Sequence, residues 1–94
     1  MSARTAPSLA ALDTFLPKIS SLPPSSERDR LQSEAEALRR AVAAFHMEAI
    51  RFRMYNVDRL IRVMPPVADL AGAFDAVRHE LEVAGFHTRS HAAP

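Results

Sequence analysis

The chain has no cysteine and no tryptophan, only two glycines, and no real surplus of charge of either sign. The lack of cysteine removes disulfides, thiolate metal sites and thiol nucleophiles together, and it suits a reducing compartment. Two glycines cannot supply the Gly-rich loop that cradles phosphates. A net charge of +1 at pH 7 gives no global field to draw the protein onto nucleic acid or an anionic membrane. No apolar run approaches the roughly 18–20 residues needed to span a bilayer. The opening "MSARTAPSLAALDTFLPK" does not make a signal peptide, because Asp13 and Pro17 break its short apolar stretch. The expectation is a cytoplasmic protein that does not engage the membrane.

What remains is rich in alanine and arginine. Ninety-four residues make one small domain, and 48% hydrophobic residues argue against full disorder. Almost nothing reads as a strand. Two proline pairs divide the chain, in "LPPSS" (22–26) and "MPP" (64–66), and both mark helix boundaries. The fold class expected is all-α: three helices with a long central one, a helical hairpin or bundle completed by self-association. Residues 1–6 form a flexible lead, 7–86 a single helical domain, and 87–94 a flexible polar tail.

The first segment carries Leu9, Leu12, Leu16 and Ile19 at steps of three, four and three, which is one helical stripe. Pro17 should kink or end it. The last segment, over 66–84, carries Val67, Leu70, Phe74, Val77 and Leu81 at steps of three, four, three and four. Gly85 followed by Phe86 suits a Schellman ending, with Phe86 folded back towards Leu81. Gly72 inside that helix suggests the close approach of a neighbour.

The central segment, over 26–63, opens with "SSERDRL", a serine cap followed by acids where the helix dipole favours them. Neither glycine nor proline interrupts it before Pro65. One apolar stripe, Leu31, Ala35, Leu38, Val42, Phe45, Ala49 and Phe52, continues through Asn56 to Leu60 and Val63. A second exists only in the later half: Met47, Ile50, Met54, Val57, Ile61 and Met64. At 100° per residue the two lie roughly 120° apart on average. About 38 residues at 1.5 Å make a rod of about 57 Å, far longer than a compact domain of this size. Short connections let the outer helices cover one face, leaving the second stripe open. Six such side chains represent roughly 10 kcal/mol of unused gross driving force. The expectation is a non-enzymatic association module, homo-oligomeric or an adaptor, whose interface is Met47, Ile50, Met54, Val57, Ile61 and Met64. The competing arrangement is a compact monomer in which the central helix breaks and the first helix swings across to fill the second face.

Polar residues interrupt this pattern. His46, Arg53 and Asn56 lie between the stripes as a polar seam. Arg53 then needs a carboxylate from its own chain or another, and Asn56 would set register. A small anion pocket with His46 as a titrating member is the functional alternative. Arg51, Tyr55, Arg59 and Arg62 form a basic cluster that could grip phosphates and stack on a base, giving a nucleic-acid-binding reading. Arg51–Tyr55 and Asp58–Arg62 local pairs on a solvated face are the plainer account. Asp75, His79 and Glu82 share a facet, with His87 near it, and a small-ligand or metal-binding bundle is the third reading. No H-E-x-x-H or paired Glu-x-x-His accompanies them, so neither a metal nor a cofactor is expected. Ser8, Ser20, Ser21, Ser25 and Ser26 sit at helix starts and in a linker, where serine caps and turns the chain.

Overall fold

The computed structural model describes residues 4–65 and 69–86, and in them the chain is all-helical. Four helices form: α1 (Ala6–Ser20), α2 (Ser26–Ala43), α3 (Met47–Val63) and α4 (Leu70–Val83). The long central helix of the sequence reading is two helices, so the expected count of three is corrected to four.

The break lies at Ala44, Phe45 and His46, where no glycine or proline announces it. Phe45 adopts the left-handed conformation with φ 57°. Its N–H donates to the Val42 carbonyl and the His46 N–H donates to the Ala41 carbonyl, both at 3.0 Å. That pair of bonds is a Schellman motif with phenylalanine where glycine usually sits. His46 then starts α3, its Nδ1 accepting from the Ala49 N–H at 3.2 Å. The rod of about 57 Å thus becomes a hairpin. The Cα atoms of the folded body extend only 34 × 31 × 19 Å, with a radius of gyration of 12.4 Å.

The break rotates α3 so that its second stripe faces inward. Leu31, Ala35, Leu38 and Val42 of α2 and Ile50, Met54 and Val57 of α3 are all buried in one core. Leu9, Leu12, Phe15 and Ile19 of α1 join them, as do Leu70, Phe74, Val77 and Leu81 of α4. Phe15 and Phe74 meet at a centroid distance of 5.6 Å in the α1–α4 layer. Leu16, expected in the α1 stripe, is only half-buried, and Phe15 takes the central place.

Neighbouring helices run antiparallel. Asp13 accepts from Arg39 at 2.8 Å and Ser20 donates to Gln32 at 3.2 Å, so later α1 meets earlier α2. Glu34 of α2 pairs with Arg53 of α3, and Asp58 of α3 with Arg78 of α4. α4 packs chiefly on α1 and only sparsely on α3, and the Asp58–Arg78 contact of 3.4 Å bridges that weak seam.

Several local expectations change. α1 runs through Pro17 to Ser20; Pro17 is exposed, so the bond it cannot donate is lost on the solvent side. Arg4 and Thr5 belong to the packed body and not to a flexible lead: Thr5 is buried, and Arg4 Nε donates to the Ala84 carbonyl at 2.6 Å. The Schellman ending of α4 forms as read, with the Phe86 N–H donating to Leu81 at 2.8 Å and Gly85 at φ 105°. The neighbour at Gly72 is the Asp69 carboxylate, 2.5 Å from where a Cβ would stand. Val67, Pro66, His87 and the polar tail over 87–94 lie outside the described residues.

Candidate functional site

The interface read from the sequence does not survive the break. Ile50, Met54 and Val57 are interior residues, packed against α2 and the rest of the core. Ile61 and Met64 are half-buried against that core, and of the six only Met47 is exposed. The second stripe is covered from within because the chain turns at Phe45 and presents it to its own α2.

The turn sends part of the other stripe outward. Phe52 is 56% exposed, Tyr55 46% and Val63 75%, and all three stand on the solvent side of α3. Leu60 and Ala49 flank them half-buried. At 100° per residue, Phe52, Tyr55 and Arg59 lie opposite the buried Ile50, Met54 and Val57. No other helix supplies more than one exposed large apolar residue among those described; α4 offers Val83 alone. Phe45, partly exposed, is engaged at the α2–α3 corner, where its ring meets Phe86 edge-on at 5.3 Å and Arg4 lies 5.9 Å from its centroid.

The polar seam resolves within the chain. Glu34 Oε1 accepts from Arg53 at 2.9 Å and from Asn56 Nδ2 at 3.2 Å. Arg53 thus meets its acid on α2, and Asn56 bonds the same carboxylate, tying α2 to α3 within the chain. His46 is not part of this seam. It is an exposed N-cap, and the small pocket with a titrating histidine does not form around it.

The basic cluster is divided. Arg62 Nε donates to Asp58 Oδ2 at 2.9 Å, as the local-pair reading expects. Arg59 has no carboxylate partner among the described residues, and its guanidinium lies 5.7 Å from the Tyr55 ring centroid. Arg51 is half-buried, and it is Arg59, not Arg51, whose guanidinium lies over the Tyr55 ring. Beside this face a groove of about 350 Å³ opens between α2 and α3, with Arg30 and Arg59 among its walls and Leu60 and Val63 as apolar lining.

On α4, Asp75 accepts from Arg78 at 2.7 Å and is not turned to His79. Among the described residues, no group of three histidines or carboxylates could hold a metal ion. No helix among them is long and apolar enough to cross a membrane.

No protein-family model matches the chain, and neither the curated proteins nor the solved structures contain a match. The surface itself must carry the functional reading.

Proposed function

We propose that this protein is a non-enzymatic helical association module whose docking surface is the outer face of α3. One observation carries the reading: Phe52, Tyr55 and Val63 project from a single helix face on the side away from the core. Exposed apolar residues scattered singly need no explanation, whereas aligned aromatics flanked by arginine have the composition of contact surfaces. The face is one helix wide and regular, the geometry that another helix recognises.

Site-specific photo-cross-linking tests this. A photoreactive phenylalanine analogue at position 52 should give protein adducts in cells, whether with a second copy or another protein. The same group at Glu36, exposed on α2, should give few. Equal yields from the two positions would remove the docking reading.

The rival reading, nucleic-acid binding, draws support from Arg30 standing beside Arg59 across the groove. A mobility-shift assay separates the two. Binding that falls steeply with salt and drops in Arg59→Ala supports the rival, and no shift at low salt removes it.

A further inference from the structure

We infer that the outer face of α3 docks on the same face of a second copy, antiparallel, about a two-fold axis beside Tyr55. This rests on the association reading above and names its partner.

The seam consists of Glu48, Phe52, Tyr55, Arg59 and Arg62, at steps of four, three, four and three. That is the spacing by which one helix lies along another. Along the helix the order is acid, aromatic, aromatic, cation, cation. Reversed, the order complements itself. With the axis at Tyr55, Glu48 faces Arg62 of the second copy, Phe52 faces its Arg59, and the two Tyr55 rings meet. Because the relation is isologous, each contact occurs twice.

Phe52 carries the Arg53 guanidinium 5.1 Å from its centroid and still leaves 56% of its surface exposed. Among the described residues Glu48 has no ion-pair partner. Arg59 rests over an aromatic ring and can exchange that ring for another at the same kind of distance. Arg62 is 76% exposed and uses only Nε on Asp58, which leaves its two terminal nitrogens for a second carboxylate. A parallel pairing would set Glu48 against Glu48 and the arginines against each other, so charge selects the antiparallel one. Antiparallel helix dipoles add to that preference. The net charge of +1 offers little long-range repulsion between copies.

The contact is small. Seventeen residues of α3 span about 25 Å, so one such face falls at the low end of specific interfaces, and dissociation in the micromolar range or weaker is expected. Sedimentation equilibrium of the purified full chain should show a monomer–dimer equilibrium. Glu48→Arg and Arg62→Glu should each weaken the dimer about tenfold or more by opposing like charges, and the double variant should recover most of the loss. Circular dichroism verifies that each variant remains helical.

Disulfide trapping supplies an independent readout, because the chain has no cysteine of its own. Tyr55→Cys, on the axis, should form a disulfide dimer under mild oxidation far faster than Ala76→Cys, exposed on α4. Failure of the double charge swap to recover the dimer, or equal trapping at 55 and 76, would overturn the two-fold arrangement. A chain that stays monomeric at millimolar concentration would overturn the second copy as partner. Absence of any adduct from position 52 would then remove the association reading as well.

Discussion

Phe45 offers the sharpest test of the fold, because the sign of an effect depends on whether the chain turns there. Its φ of 57° places a bulky side chain in the left-handed region, at a cost of about 1–2 kcal/mol for any residue with a Cβ. Against that stands the edge-on contact with Phe86, worth about 0.5–1.5 kcal/mol, and roughly half the value of full burial, another 1 kcal/mol or so. Phe45→Ala keeps the strained backbone and loses the ring, so it should destabilise by about 2 kcal/mol. Phe45→Gly loses the same ring but relieves the strain, offset by the larger chain entropy of glycine, about 0.5–1 kcal/mol. Glycine should therefore be the more stable of the two by roughly 0.5–1 kcal/mol. In an uninterrupted helix the order reverses, with glycine about 1 kcal/mol worse than alanine. His46→Ala provides a second sign. It should cost about 1 kcal/mol by removing the cap on Ala49, whereas alanine in a continuous helix would stabilise. Urea unfolding followed by circular dichroism measures all three. An alanine variant at 45 more stable than the glycine variant, together with a stabilised His46→Ala, would refute the turn and restore the long rod.

Two further outcomes follow from single side chains. Ser8 is fully buried in the first turn of α1, and its Oγ has no hydrogen-bond partner among the described residues. Ser8→Ala should raise stability by about 1 kcal/mol, since it removes an unsatisfied hydroxyl and improves helix propensity; a lower urea midpoint would show that the hydroxyl is in fact bonded. At the α1–α2 seam, the hydrogen bond from Arg39 holds the Asp13 carboxyl below its ordinary value of 3.8. A lowered folded value stabilises above the unfolded pKa and ceases to do so as pH falls through the folded one. The stability gap between the parent and Asp13→Asn should thus be full at neutral pH and close in acid below 3.8, and a gap unchanged across that range would contradict the pairing. Because both groups are exposed, salt should narrow it as well.

Much of the core was legible because stripes report faces whatever the tertiary arrangement. Leu9, Leu12 and Ile19, then Leu31, Leu38 and Val42, then Leu70, Phe74, Val77 and Leu81, were read from spacing and are buried. Gly85 was legible because only glycine takes φ near 105° readily, so the residue type announces the geometry. Phe45 was not, because a phenylalanine in the left-handed region announces nothing. The signal that did exist was the change of stripe. Leu31, Ala35, Leu38 and Val42 step by four, three and four, and so do Ile50, Met54, Val57 and Ile61, but Val42 and Ile50 are eight apart. Corresponding members such as Leu31 and Ile50 are nineteen residues apart, which at 100° each leaves the second set about 100° out of phase with the first, and a straight helix cannot direct both into one core. Two stripes on a single rod are equally the signature of two helices with one stripe each, and the length of the rod against the size of the domain favours the latter. The partner of Arg53 was hidden for the same reason: Glu34 lies nineteen residues earlier, and only the turn brings it to 2.9 Å.

The break also relocates the question of a second apolar face. Once Ile50, Met54 and Val57 turn inward, the stripe that continued from α2 beyond Phe45 divides: Ala49, Asn56 and Leu60 stay half-buried, while Phe52 and Val63 turn outward, because one helix cannot bury opposite sides in a two-layer bundle. Phe52 and Val63 are exposed as a consequence of the same rotation that buries Met54. A protein with no use for that face could carry polar residues there at no expense to the core. The α2 helix does so, with Ser33, Glu36 and Arg40 on its exposed side. On α3 the same side carries Phe52 and Tyr55, with Arg53 and Arg59 over their rings, and Glu48, which has no ion-pair partner among the described residues, so apolar and charged groups share an exposed face where polar residues alone would serve the core equally well.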